Sequence, residues 1–280
     1  MKKKLIIIIT SIFIGFLCMA YLATPSKAQN YSFDVNSEIA NVYIEQDGSI
    51  TIEYWINFTC DTYAYPIDVV DIGFPNDHYD IESVKADIDG HKLTDIRPST
   101  VIDVGVEIWL GSYAIGPGES GTLHVEGNNP HMVYEDYEDM DMASVEFSPT
   151  WFDSEFCPKF DYLEINFYFP DGCDDGDEVK WHYEKYDEYS RDSDGDLIFT
   201  WKKEDATMQQ YTFGVSFPKK YVDTYLPWTS NPEVVSFVVI TLIVISLVGL
   251  VGGGVYLIYR YNQDYKKRYY PPKPKKKPGD

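Results

Sequence analysis

Positive charge is scarce through most of this 280-residue chain: residues 29 to 233 hold 11 Lys and Arg against 43 Asp and Glu, a formal charge of −32. A surface of that sign repels phosphate backbones, which excludes nucleic acid as a partner for this segment. Histidine is nearly as thin. His78, His91, His124, His131 and His182 are scattered, and no Ser-His-Asp or Cys-His arrangement can be read from their spacing. Of four cysteines, Cys18, Cys60, Cys157 and Cys173, none makes a C-x-x-C or pairs with a neighbouring histidine, so a zinc site is not expected. No nucleophile elbow, phosphate loop or metalloprotease motif occurs. A glycosidase needs two carboxylates about 5 to 10 Å apart, but with 43 acids such a pair arises by chance and carries no signal. The expectation is a protein without a catalytic site.

The two ends differ from the middle. Lys2 to Lys4, the uncharged run Leu5 to Ala23, and Ser26-Lys27-Ala28 read as a secretory signal over residues 1–28, an uncleaved signal anchor being the other reading. Val234 to Ile258 holds 25 residues without a charge, which predicts a C-terminal transmembrane α-helix at 234–258. Arg260 and the Lys/Arg cluster behind it place the C-terminus in the cytoplasm and residues 29–233 outside, giving a single-pass protein of the cell membrane. Gly249 and Gly253 have the G-x-x-x-G spacing that lets helices approach closely, so a homodimer through this helix stands beside ordinary glycine tolerance. The tail, 259–280, carries eight bases and two acids and would lie on anionic lipid head groups. Its Tyr269-Tyr270-Pro271-Pro272-Lys273-Pro274 also offers a short proline-rich ligand. Residues 223–233, polar and aromatic with two prolines, read as a stalk.

Between the ends the hydrophobic period is two. Ile39 to Glu45 alternates, Asp47-Gly48 makes a hairpin turn, and Ser49 to Phe58 alternates again. Ile81 to Ile88 followed by Asp89-Gly90 repeats the arrangement. Further strand-like runs lie at Val101–Leu110, Gly121–Glu126, Ala143–Phe147, Phe160–Phe169, Glu178–Tyr186, Asp196–Lys202 and Gln210–Phe217. No convincing 3.6-residue period appears among them. The predicted class is all-β: an antiparallel β-sandwich over 29–222, either one large sandwich or two smaller ones with a seam at 127–142.

Two acidic turns, Asp171 to Glu178 and Asp192 to Asp196, suggest calcium, with Asp174, Asp175, Asp177, Asp192, Asp194 and Asp196 as candidate ligands, although neither matches an EF-hand. The bland alternative is a pair of solvated hairpin turns. Cys60, Cys157 and Cys173 allow one disulfide plus one thiol. A ten-residue strand separates Cys157 from Cys173, which favours Cys60 paired with one of them. Asn30 and Asn57 head N-glycosylation sequons. Tyr63, Tyr65, Tyr134, Tyr137 and Trp151 fall at alternate positions or near turns, where aromatic residues either contact glycans and proteins or pack across strands.

The stretch Ile39 to Phe58, centred on Asp47-Gly48-Ser49-Ile50-Thr51-Ile52-Glu53, and the later Tyr211-Thr212-Phe213-Gly214-Val215-Ser216-Phe217-Pro218-Lys219, resemble the first hairpin and last strand of the domain-of-unknown-function 2207 family of predicted membrane proteins. The resemblance spans most of 39–222. It implies a secreted-side β domain followed by membrane helices, and it brings no catalytic residues. Together these features lead to the expectation of a cell-surface binding module for a protein or glycan, with calcium dependence an open point. A structural envelope component and a carbohydrate hydrolase are the alternatives.

Overall fold

The computed structural model describes residues 30–193, 195–230 and 232–269, with side chains of the final helix described at 235–236, 239–250 and 256–261. The signal expected at 1–28 and the last eleven residues of the tail lie outside this set. The first eight strands are β1 (Phe33–Ile44), β2 (Ile50–Cys60), β3 (Val69–Gly73), β4 (Lys85–Ile88), β5 (His91–Leu93), β6 (Ile96–Pro98), β7 (Gly105–Trp109) and β8 (Ser120–Asn129). They are followed by β9 (Tyr134–Glu135), β10 (Met142–Phe147), β11 (Lys159–Phe160), β12 (Tyr162–Tyr168), β13 (Lys180–His182), β14 (Glu188–Arg191), β15 (Leu197–Glu204) and β16 (Phe213–Pro218). A helix, α1 (Pro232–Tyr269), closes the described chain.

The fold is β-rich, as the two-residue period predicts, but it is not antiparallel throughout. Nine strands make one sheet in the order β14-β15-β12-β1-β2-β8-β4-β5, with β11 also on β1; β13-β16-β10-β9 and β3-β7-β6 form two smaller sheets. β1 pairs in parallel with both β11 and β12, for example Ala40 with Ile165. Alternation reveals a strand and its buried face but not its direction. Here about a hundred residues separate β2 from β11, enough to bring the chain back alongside β1 in the same sense.

The smaller sheets cover one face of the large one. Tyr54 of β2 lies 6.2 Å from Phe147 of β10, Phe167 of β12 lies 6.4 Å from Phe147, and Trp201 of β15 lies 5.8 Å from Phe213 of β16. Phe74, just after β3, packs against Gly127 of β8 so closely that a Cβ there would come within 2.6 Å of its ring. One apolar core runs through all three sheets, on both sides of the seam considered at 127–142. Gly127 itself lies within β8.

The transmembrane helix expected at 234–258 is corrected by the structure. α1 includes that run but continues through Arg260, Asp264 and Lys266 to Tyr269, and among the described residues no helix is long and apolar enough to cross a membrane. Gly249 has nothing within 4 Å of where its Cβ would be. Gly253 falls among helix positions whose surroundings lie outside the described residues.

Residues 223–226, read as part of a stalk, lie against the body. The Asp223 amide donates to the Gln46 carbonyl (2.7 Å), the Leu226 amide to Val133 (2.9 Å), and the Glu135 amide to Leu226 (2.7 Å). Gly48, at φ +83°, is the point of closest approach: a Cβ there would meet the Thr224 carbonyl oxygen at 2.4 Å.

Candidate functional site

Because alternate residues of a strand face opposite ways, the inward set of each strand of the large sheet builds the core and the outward set builds a polar face. One hydrogen-bonded row crosses six strands, half-buried on that face at Asn41, Glu53, His124 and Asp87 and buried at Asn166 and Thr200. Thr200 Oγ1 donates to Asn166 Oδ1 (2.7 Å), Asn166 Nδ2 to Asn41 Oδ1 (3.1 Å), and Asn41 Nδ2 to Glu53 Oε2 (2.9 Å). Glu53 Oε1 then faces His124 Nε2 at 3.0 Å, and His124 Nδ1 faces Asp87 Oδ2 at 2.9 Å. With a carboxylate at each ring nitrogen, only the imidazolium can donate to both. Burial pushes Glu53 up, but hydrogen bonds from Asn41, His124 and Tyr43 outweigh it and hold the carboxyl below the usual glutamate value.

Two aromatic pairs flank the row. Trp55, 40% exposed, stacks on the His124 ring at 3.9 Å, and Tyr43 stacks on Tyr168 at 4.4 Å. A second row, Asn36 Nδ2 to Asn57 Oδ1 (2.6 Å) and Asn57 Nδ2 to Thr122 Oγ1 (2.8 Å), runs nearby. At the Tyr43–Tyr168 end the face drops into an open groove of about 490 Å³ between the β1–β2 turn, the end of β12 and the β14–β15 turn. Its lining includes Glu45, Asp47, Asp171, Asp192 and Asp196, and no Lys or Arg among the described residues. Burial first, and then the Glu53 charge, keeps the Tyr43 phenol protonated far into alkaline pH.

A second cluster, on the smaller β13-β16-β10-β9 sheet, brings together residues that the sequence keeps far apart. His182 Nε2 lies 2.6 Å from Ser216 Oγ, Ser216 Oγ donates to Asp136 Oδ2, and His182 Nδ1 faces Glu146 Oε1 at 3.8 Å. Tyr183 OH donates to the same Glu146 oxygen at 2.7 Å. Gly214 allows this approach, since a Cβ there would lie 3.0 Å from His182 Nδ1. Serine, histidine and two carboxylates invite a triad reading, but the residue at the nucleophile position has no exposed surface and its hydroxyl already donates to a carboxylate. Asp136 Oδ1 accepts from the amides of Glu138 (2.7 Å) and Asp139 (3.0 Å). The cluster therefore pins the 136–139 loop and β13 to β16.

The calcium candidates are drawn together by a base. Arg191 donates to the Asp174 carbonyl and, at 2.8 Å, to the Gly195 carbonyl, joining the two acidic turns. Asp175 Oδ1 accepts from the Asp177 amide (3.0 Å), and Asp192 Oδ1 accepts from the amides of Gly195 and Asp196 (2.9 Å each). Asp194 lies outside the described residues. Among those described, no group of three or more His, Cys, Asp or Glu is arranged to hold a metal.

Cys60, Cys157 and Cys173 are all buried free thiols, in place of the disulfide plus thiol that their number suggested. Cys60 Sγ donates to the Tyr65 carbonyl (3.3 Å) and Cys157 Sγ to that of Lys159 (3.2 Å). Burial pushes Cys157 up to about 11 and Cys173 up to about 12. Asn30 is exposed, whereas the Asn57 amide is engaged in the second row of the polar face. Tyr63, Tyr65, Tyr137 and Trp151 are exposed, and Tyr134 lies in β9. None of these five belongs to the polar face of the large sheet. The residues that do, Trp55, His124, Tyr43 and Tyr168, carried no signal beyond being outward positions in strands.

No family model matches the sequence, and no curated protein is similar to it. Among solved structures, an M1 zinc metallopeptidase from Deinococcus radiodurans is similar with a TM-score of 0.42 at 9% identity, over 67% of this chain and 42% of that one. A mutant of that enzyme bound to a Tyr-Ser-Ala substrate gives 0.40 at 9% identity, over 67% and 43%. The chain thus spans under half the length of these structures, and at such scores the likeness carries no activity across.

Proposed function

We propose that this protein is a binding module for a protein or glycan ligand, and that the ligand lies on the outward face of the nine-stranded sheet and in the groove at its end. The observation that supports this most is the part-exposed stretch of the row from Asn41 to Asp87, with Asn166 and Thr200 buried behind it. Its amides, carboxylates and imidazole are held in fixed orientations, beside aromatic surfaces at Trp55 and Tyr43–Tyr168. Prepositioned polar groups and rigid rings bind with little loss of conformational freedom. The negative charge selects against anionic ligands and favours neutral glycans or Lys/Arg-bearing segments. Catalysis draws no comparable support, since Ser216 is sealed beneath His182 and Asp136.

The test is a binding screen of the full chain against neutral oligosaccharides and Lys/Arg-rich peptides, with hydrogen exchange used to locate any ligand found. Slowed exchange in β1, β2, β8 and β12 is expected. Binding that protects only the smaller sheets, or no binding at millimolar ligand, refutes the reading.

A further inference from the structure

Glu38 is a buried acid whose chemistry and surroundings disagree. It stands in the middle of β1 with no exposed surface, and neither carboxyl oxygen has a hydrogen-bond partner. Its place follows from a β-bulge: the β1–β2 register shifts between Val35 and Ser37, which turns Glu38, with Ala40 and Val42, toward the core. Across the sheet it lies opposite Ile56 of β2 and Leu163 of β12. The ionisable group that would feel its charge is the Tyr54 phenol of β2, itself neutral, fully buried and accepting from the Thr150 amide at 3.2 Å. On the β12 side it faces Leu163, and among the described residues no cation offsets its charge. A buried carboxylate without partners is far costlier than its neutral acid.

The β1 ladder is also interrupted here. β11 pairs with Asp34 and Val35, β12 pairing begins at Glu38, and the bulge falls in the same interval, so ladder hydrogen bonds are interrupted on both sides of β1. Local opening follows places with few such bonds.

We propose that Glu38 is a proton-operated latch on this core: with its proton it stays sealed between the sheets, and on releasing that proton to solvent it drives this part of β1 out of the core, loosening β1 from β12 as pH rises. The sign follows from linkage. Burial raises the folded value of Glu38 well above the ordinary glutamate value, so the folded state holds a proton that the unfolded state has lost. The acid form's contribution is complete below the ordinary value and is lost as pH climbs toward the folded one.

The experiment is hydrogen exchange of the full chain at pH 5 and pH 8, expressed as protection factors, for the wild type, Glu38→Gln and Glu38→Leu. Wild-type protection in β1, β2 and β12 should fall at least about tenfold, one pH unit of linked titration, while Glu38→Gln, equal in shape and unable to ionise, stays level. Parallel behaviour of wild type and Glu38→Gln overturns the proposal. The wild type also permits a test that does not depend on the variants folding: its infrared spectrum near neutral pH should contain the carbonyl band of a protonated carboxyl that bleaches as protection falls. A folded wild type without that band refutes the latch.

Discussion

Replacing Gly48 with alanine perturbs the β1–β2 turn and the strand-like segment seated on it together. Gly48 sits at φ +83°, where an L side chain costs about 1–2 kcal/mol. Its new Cβ would also meet the Thr224 carbonyl oxygen at 2.4 Å, backbone that cannot rotate away. Relief requires lifting residues 223–226, which puts at risk the Asp223-to-Gln46 and Leu226-to-Val133 hydrogen bonds, each worth about 0.5–1.5 kcal/mol. The expected loss is about 2–5 kcal/mol, read as a lower urea midpoint at unchanged slope. Gly90→Ala supplies the internal standard: Gly90 has φ +80° but nothing within 4 Å of its Cβ position, so it incurs only the backbone cost of about 1–2 kcal/mol. If the two variants lose the same stability, the segment after β16 is not seated on the hairpin in solution.

Trp201 is 1% exposed, packs against Phe167 and Phe213, and donates to the Glu184 carbonyl at 3.0 Å; Trp201→Ala should lose about 3–5 kcal/mol by thermal unfolding, and a loss under 1 would contradict the packing. Ser216→Ala removes the hydroxyl shared by Asp136 Oδ2 and His182 Nε2 and should cost about 1–3 kcal/mol, while the native protein, with Ser216 fully buried, should resist a fluorophosphonate label; rapid labelling at Ser216 would restore the triad reading. With Cys157 near 11 and Cys173 near 12, thiol counting at pH 8 should find these two silent in the folded protein and reactive in denaturant. Immediate modification without denaturant would show that the burial is wrong.

How much of this was legible depends on which physical signal each feature leaves. The hairpin around Asp47-Gly48 could be read because a D-G turn and alternating apolar residues specify strand, turn and register together. The same holds for β4 and β5 around Asp89 and Gly90, both at positive φ. Short strands such as β6 and β14 were not visible, since three or four mostly exposed residues show no period. Parallel pairing of β1 with β12 depends on a return of the chain that no local pattern encodes. For the same reason the six-strand row could not be foreseen: Asn41, Glu53, Asp87 and His124 are ordinary half-buried strand residues, and Asn166 and Thr200 buried ones, until the sheet order lines them up. Glu38 follows from the bulge, without which simple alternation would turn Ile39 inward.

The most direct test of the binding reading compares two exposed tryptophans. Trp55 lies on the polar face at 40% exposure, and Trp151 lies off it at 53%. Whichever oligosaccharide or basic peptide the screen yields, titrated by calorimetry against wild type, Trp55→Ala and Trp151→Ala, should bind the first variant at least about tenfold more weakly, a loss of about 1.4 kcal/mol, and the second with wild-type affinity. Unchanged affinity in Trp55→Ala, or a loss confined to Trp151→Ala, would contradict the assignment of the nine-stranded face as the binding surface.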